Sequence, residues 1–292
     1  MAAGIVGRQS LPPPLPITPR FVPPSPSGWR RNALPALLAL AALAPSGWMF
    51  ARDEADIGRA QQEWEAAMAE PVTWERPLVI AAEAWHSGAL KQHEDGILGG
   101  KAKPAASQGY VVRIRTRLPR ITAVRVEFFF DPAIAGDKRA TMPAMLSEFW
   151  MSAIAPGSGA YERVPPGVAS TDYVRPGNRV EMAIDGNPAT AWEIDPTAPG
   201  ARAAVFELRE PIEVREGSML IVHLQQRRKD APKFTRFRIT VTSHRPPVRE
   251  LPGLAREALA LEPTERTDEQ RRALRACFLK LEKSARGVRP TK

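Results

Sequence analysis

Several side chains with oxygen atoms lie close together in the segment 183–192, which reads AIDGNPATAW. The segment holds an Asp-Gly pair and an Asn-Pro pair, both turn-forming, followed by a strand-like Thr-x-Trp. Carboxylate, amide and hydroxyl oxygens at such a loop suit Ca²⁺ or the hydroxyl groups of a sugar, but they equally suit the turn's own main-chain N–H groups. The segment therefore predicts either a ligand site or a purely structural turn. The ligand-binding candidates in it are Asp185, Asn187 and Thr190.

Aromatic and charged residues near this segment extend the prediction. Tyr173 and Arg175 stand in the preceding loop, where they can add stacking or positive charge for a sugar or an anionic group. Trp192 and Trp74 are interpreted differently, as large apolar side chains that belong to a core. We therefore expect ligand contacts from the loops and packing from the two tryptophans.

Motifs for covalent or redox catalysis are missing from the sequence. Cys277 is the single cysteine, so the chain encodes neither a Cys-x-x-Cys-His haem attachment site nor an internal disulfide. The four histidines do not stand at metal-ligand spacing. Asp185, Glu193 and Asp195 are acids of the kind a glycosidase uses, but nothing in the sequence distinguishes them. We expect a protein that is not an enzyme, with calcium as the one cofactor that these acids allow and with its ligands unassigned.

The chain is strongly basic, with a net charge of +9 and a pI near 10.1. Its basic residues are spread over strands and the last helix, without the arrangement of stacked aromatic and basic residues of an RNA-recognition sheet. Nucleic acid is therefore not the expected partner. Anionic polysaccharide, phospholipid or an acidic envelope protein fits the charge, and so does a basic surface that only contacts solvent.

Strand patterns dominate the region from 71 to 245. Tyr110, Val112 and Ile114 alternate with Arg113 and Arg115, which gives one apolar and one basic face. Short strands of this kind, separated by Pro and Gly and without helical patterns between them, predict a mainly β protein. The expected fold is an antiparallel sandwich with flanking α-helices. The Asp-Gly and Thr-x-Trp order of 183–192 resembles the opening of discoidin domains, and this resemblance implies a jelly-roll or discoidin-like sandwich.

A long connection rich in Gly, Pro and Ser, from 155 to 178, leaves the number of sandwiches open. It either separates two tandem units, 71–156 and 157–245, or crosses one larger sandwich. The Asp95-Gly96 turn in the first half parallels the later Asp-Gly turn. This faint sign of duplication favours two related units, of which the second is the discoidin-like one.

The first fifty residues predict a tail and a hydrophobic segment. Residues 1–32 are rich in Pro and basic, which is typical of a disordered tail. Residues 33–50 read ALPALLALAALAPSGWMF, close to the length of a membrane-spanning helix and preceded by Arg30-Arg31. The segment is interpreted as a signal or membrane anchor, with a buried Ala/Leu helix as the alternative.

Helical periodicity flanks the strands on both sides. Residues 51–70 predict an amphipathic helix, and 250–286 predict a helical pair. In the pair, Thr267 and Gln270 form a capping box that opens the second helix. Cys277 lies in the apolar stripe of that helix, so we interpret it as buried and inert.

These motifs support a resemblance to a known family. The order Asp-Gly and then Thr-x-Trp resembles the opening of discoidin (F5/8 type C) domains. The whole order of parts over about 52–285 resembles the discoidin-like middle region of planctomycete-type cytochrome C multidomain proteins. The residues that carry the resemblance are Trp74, Ser87-Gly88, Asp95-Gly96, Tyr110-Val111-Val112, 121–127, Leu146-Ser147-Glu148, 183–192, 237–242, Leu251-Pro252, Arg266-Thr267 and Gln270.

The resemblance implies a galactose-binding-like module in a large exported protein. Together with the segment at 33–50, it predicts a non-enzymatic binding or scaffolding module of the cell envelope, with polysaccharide or an envelope protein as its partner. The alternative is a cytoplasmic accessory fragment that supports a partner from a cytochrome C-type multidomain system. The sequence departs from the family in lacking the haem motif and a glycine- and asparagine-rich turn between 136 and 146.

Overall fold

The computed structural model describes residues 54–85, 88–100, 108–130, 143–157, 159–173, 179–195, 201–227 and 234–287. The strands, in chain order, are β1 (Leu78–Ala84), β2 (Gly88–Ala89), β3 (Lys91–Gln92), β4 (Leu98–Gly99), β5 (Gln108–Arg115), β6 (Arg120–Phe129), β7 (Ala144–Leu146), β8 (Glu148–Ile154), β9 (Tyr161–Val164), β10 (Pro166–Thr171), β11 (Trp192–Ile194), β12 (Arg202–Glu213), β13 (Met219–Gln226) and β14 (Arg236–Thr242). The helices are α1 (Glu54–Ala69), α2 (Gly253–Leu259) and α3 (Asp268–Gly287).

The long strands form two six-stranded sheets. Sheet I has the order β2-β1-β5-β13-β8-β9, and sheet II has the order β10-β12-β6-β14-β4-β3. Strand β11 pairs with β7 as a separate two-stranded ribbon. Neighbouring strands are antiparallel. The predicted fold class, a mainly β antiparallel sandwich with flanking helices, is confirmed.

Aromatic rings from both sheets meet in the core between them. Phe149 of β8 stacks on Phe206 of β12 with ring centroids 3.8 Å apart. Tyr110 of β5 packs on Phe237 of β14 at 5.0 Å. These inward residues alternate along their strands with outward ones, as period-2 patterning requires. The two inner faces thus form one continuous hydrophobic core.

Strand pairing shows one large sandwich. Strand β13 lies between β5 and β8 in sheet I, and β6 lies between β12 and β14 in sheet II. Each sheet therefore contains strands from 71–156 and strands from 157–245, hydrogen-bonded to one another. The preferred division into two tandem units is wrong, because period-2 alternation identifies the buried face of a strand but not its neighbour.

The outer face of sheet II is covered by the chain that follows β14. Glu207 of β12 accepts a hydrogen bond from the main-chain N–H of Val248 at 2.8 Å and forms an ion pair with Arg249. Arg125 of β6 lies 3.2 Å from Glu250 and 3.3 Å from Glu127. These partly buried charged groups are paired, so that face of the sandwich is already occupied by the protein itself.

The three helices pack together beside β10. Trp64 of α1 contacts Phe278 of α3 with ring centroids 5.7 Å apart, and Val168 of β10 joins the same apolar cluster. The main-chain N–H of Gln270 donates to the Thr267 hydroxyl at 3.2 Å, and Gln270 Oε1 accepts from the Thr267 N–H at 2.9 Å, which is the capping box that the sequence predicts. Cys277 is half-buried in this cluster, and burial raises the pKa of its thiol.

The predicted tail at 1–32 and hydrophobic segment at 33–50 lie outside the described residues. Within the part of the chain that the structure describes, no helix is both long and apolar enough to cross a membrane.

Candidate functional site

A short 3-10 helix, Val180–Ala183, leads into the turn that carries three of the predicted ligand-binding residues. Gly186 has a φ of +74°, a left-handed conformation that glycine adopts without strain. Asp185 Oδ1 accepts a hydrogen bond from the Asn187 N–H at 2.8 Å, and Asn187 Oδ1 accepts one from the Ala189 N–H at 3.1 Å. These are side-chain-to-main-chain bonds of an Asx turn.

Thr190 completes the turn from the other side. Its hydroxyl lies 2.8 Å from Asp185 Oδ2 and 2.7 Å from the Asn187 carbonyl oxygen, and it donates to one of them at a time. The structure thus brings Asp185, Asn187 and Thr190 together and uses their polar atoms to hold the turn. Asp185 and Asn187 remain exposed, so the acceptor lone pairs that the turn leaves unused face solvent.

The remaining predicted residues separate into different places. Tyr173 follows β10 and is half-buried, with the Arg202 guanidinium 5.7 Å from its ring centroid. Arg175 lies outside the described residues. Trp192 is 1% exposed, and Trp74 is half-buried against a small cluster on sheet II. Both tryptophans therefore lie in packed surroundings.

Glu148, at the start of β8, connects the turn to sheet I. Its carboxylate accepts a hydrogen bond from the main-chain N–H of Gly186. The residue is 7% exposed, and within the described part of the chain its Oε1 atom has no hydrogen-bond partner. Burial, and secondly the negative charge of Asp185, raise the pKa of Glu148 to about 7, against the opposing effects of Arg163, the Gly186 N–H and Arg227.

Two aromatic rings stand side by side next to Glu148 on the outer face of sheet I. Trp150 of β8 and His223 of β13 are directly opposite in the strand register. Their rings stack with centroids 4.6 Å apart and an interplanar angle of 6°. Trp150 and Glu148 are two residues apart on one strand and therefore share its outer face, at a separation of about 7 Å.

His223 is held in its neutral form. Burial, followed by the positive charges of Arg113 and Arg163, lowers the pKa of His223 to about 4. Its Nδ1 atom is buried and has no hydrogen-bond partner among the residues that the structure describes. A neutral ring presents an apolar face and two nitrogens of different character, one donor and one acceptor.

A third ring lies across the same face. The Trp85 N–H donates to the Gly109 carbonyl oxygen at 2.8 Å, which places Trp85 beside β5. A Cβ built on Gly109 would come within 2.4 Å of the Trp85 indole, so the ring occupies the space above this glycine. Gly109 is in turn opposite Gln225 of β13, and Gln225 is opposite Glu148. Trp85 therefore lies above β5, one strand away from His223 of β13 and two strands away from Trp150 of β8.

We define the aromatic face by Trp85, Glu148, Trp150, His223 and Arg163, all on the outer side of sheet I. Our sequence-based prediction missed it. The alternation in 148–154 does place Glu148, Trp150 and Ser152 on the face opposite Phe149 and Met151, so one signal was present. The contact with His223 depends on pairing across more than seventy positions, which alternation does not specify.

The predicted calcium site was compared with the positions of the acidic side chains. Within the described ranges, no cluster of three or more His, Cys, Asp or Glu side chains is placed to hold a metal ion. Asp185 and Glu148 can offer carboxylate oxygens, and Ca²⁺ would need main-chain carbonyls or water for its remaining ligands. Calcium binding at this turn stays a prediction.

The chain was compared with protein families, with curated proteins and with solved structures. No family model matches the chain, and no curated protein matches it. Among solved structures, one similar chain is CBM32-3 from a family 31 glycoside hydrolase of Clostridium perfringens, at 10% sequence identity and a TM-score of 0.26. The match covers 56% of this chain and 90% of that one. The planctomycete-type resemblance stays a prediction.

Proposed function

We propose that this protein is a non-enzymatic binding module for carbohydrate. The observation that supports the proposal is the stacked Trp150–His223 pair on the outer face of sheet I, next to the Glu148 carboxylate. Sugar rings have apolar C–H faces that pack on aromatic rings and polar edges that need hydrogen-bonding groups. A site with aromatic surfaces and a few convergent polar groups meets both needs.

The predicted turn belongs to the same proposed site. The hydrogen bond from the Gly186 N–H to the Glu148 carboxylate ties the turn to the aromatic face. Asp185, Asn187 and Thr190 hold the turn, and the exposed oxygens of Asp185 and Asn187 are available to sugar hydroxyls at its rim. Tyr173, which follows β10, and Arg175, which lies outside the described residues, stay proposed contributors to ligand binding.

A binding role fits the two neighbouring carboxyl groups better than a catalytic one. Glycoside hydrolysis needs one carboxylic acid and one carboxylate that both reach the substrate. Here Asp185 Oδ1 accepts a hydrogen bond from the Asn187 N–H, Oδ2 is one of the two acceptors of the Thr190 hydroxyl, and Glu148 is almost completely buried. Both groups are therefore assigned to holding the site in shape.

The first test is glycan binding by the full-length protein, with and without Ca²⁺. A glycan array selects a ligand, and calorimetry then compares variants. Trp150→Ala is expected to weaken binding by about tenfold or more, because truncation of a central aromatic contact residue commonly costs more than about 1 kcal/mol. Trp150→Phe should restore part of the affinity.

The matched control is Leu279→Ala. Leu279 is a large apolar residue, 44% exposed, and lies on α3, away from the outer face of sheet I. We expect this variant to bind as the parent does. A parent protein that binds no glycan, or a Trp150→Ala variant that binds with parental affinity and folds normally by circular dichroism, would show that the aromatic face is not a sugar site.

We further propose that the module is attached to the cell envelope through residues 33–50. In cells that produce the full-length chain, the protein should sediment with membranes after washes in low and high salt and be released by detergent. A double substitution, Leu38→Arg with Leu40→Arg, should shift it to the soluble fraction, since each charge disfavours insertion by about 2.5–3.5 kcal/mol. Recovery of the unmodified chain in the cytosolic fraction alone would contradict the anchor.

A further inference from the structure

Building on the proposed sugar site, we propose that its ligand is an acidic polysaccharide and that Arg163 binds a carboxylate group of that ligand. The inference rests on sugar binding at the aromatic face and goes further by naming the class of sugar and the residue that selects it.

Arg163 is placed beside the stacked rings. It lies in β9 directly opposite Ser152 of β8, and Ser152 is the next outward residue after Trp150. Arg163 is exposed, and its positive charge acts on the titration of both His223 and Glu148. Ser152 is half-buried. A ligand stacked on Trp150 therefore lies within reach of Arg163.

Two arginines flank the Trp150–His223 stack, and they differ in their ion pairing. Arg113, whose charge acts on His223, is paired with Glu83 at 3.1 Å. Among the ion pairs formed by the described residues, none includes Arg163, and its place beside the stack distinguishes it from unpaired arginines elsewhere, such as Arg272 on α3. A guanidinium that is exposed, next to an aromatic stack and without an ion-pair partner in the described residues is suited to an anion brought by a ligand.

The chemistry of the face favours a carboxylate in particular. A guanidinium presents parallel N–H donors that match the two oxygens of a carboxylate, and the aromatic rings next to it accept the sugar ring that carries the group. Positive charge also exceeds negative charge in the chain as a whole, at +9. An extended polyanion would be attracted to the protein before the specific contacts form.

The test compares two tetrasaccharides of equal length, an oligogalacturonate and the corresponding neutral oligogalactoside, by calorimetry with the full-length protein at physiological ionic strength. The parent is expected to bind the acidic sugar about tenfold more tightly, the usual scale of one additional charged hydrogen-bonded contact. Arg163→Gln should remove that difference while the affinity for the neutral sugar is kept. Arg163→Lys should restore part of it.

Arg272→Gln is the matched control, because Arg272 is an exposed arginine on α3 and the substitution removes the same charge. It is expected to leave the acidic preference unchanged. Equal affinity for the two sugars, or an acidic preference that survives Arg163→Gln or falls equally with Arg272→Gln, would overturn the inference while sugar binding stands. Failure of the parent to bind either sugar, together with a negative glycan array, would overturn the proposed function and the inference with it.

Discussion

Trp192→Ala is expected to lower the free energy of unfolding by about 3–5 kcal/mol, the range for truncating a fully buried large aromatic residue. Trp192 is 1% exposed, and its ring meets the edge of Phe128 with centroids 5.8 Å apart. It also begins β11, where it is opposite Leu146 of β7. Removal of the indole therefore leaves a cavity where the β7–β11 ribbon meets the sandwich core. Urea denaturation of the parent and the variant measures the loss.

Trp192→Phe is the control that separates packing from hydrogen bonding. Among the described residues, the indole Nε1 of Trp192 has no hydrogen-bond partner. Phenylalanine keeps an aromatic ring and gives up an N–H that is not bonded there, so it should cost less than half as much as alanine. A Trp192→Ala variant that unfolds like the parent but loses a glycan ligand would instead place Trp192 at a binding surface.

Local patterns predicted local structure well. Alternation in 110–115 indicated a strand with one apolar face, and the structure buries Tyr110, Val112 and Ile114. The Thr-x-x-Gln pattern before α3 predicted a capping box, and both of its hydrogen bonds form. In each case the interacting groups lie within a few residues of one another, so the sequence spacing largely determines the contact.

Contacts between distant segments could not be predicted in the same way. The preference for two tandem sandwiches failed because β13 inserts between β5 and β8, and nothing in the composition of these three strands specifies that order. The same pairing creates the aromatic face, because it brings His223 next to Trp150. A site built across strands stays hidden until the strand order is known.

The turn at Asp185 is an intermediate case. Residue types correctly indicated a compact turn, and the alternative structural interpretation accounts for the hydrogen bonds of Asp185, Asn187 and Thr190. What the sequence did not indicate is Glu148, thirty-seven positions before Asp185, whose pKa depends on the turn. Ligand contact by the turn residues stays a prediction. The aromatic face is the first place at which we propose to test ligand binding.

The unfolding free energy of the parent is expected to change little between pH 4.5 and pH 6.5, because the buried Glu148 and the half-buried His223 on the aromatic face act in opposite directions. The pKa of Glu148 is raised from 4.5 to about 7. Its contribution to stability is full below pH 4.5 and is lost as the pH rises through 7, by roughly 3 kcal/mol at most. The pKa of His223 is lowered from 6.5 to about 4. Its contribution is full above pH 6.5 and is lost as the pH falls through 4, by a similar amount.

Single substitutions should therefore reveal opposite slopes. Glu148→Gln keeps the shape of the side chain and removes its titration, so its unfolding free energy should fall on acidification because only His223 then acts. His223→Gln should show the reverse, with a free energy that falls as the pH rises from 4.5 to 7. The unfolding free energy of the double variant should change little with pH. This variant serves as the reference for all other titrating groups, including Glu250, whose pKa is also raised by burial. Urea denaturation at intervals of pH for the four proteins gives the slopes, and parallel profiles for all four would show that neither group titrates as its surroundings require.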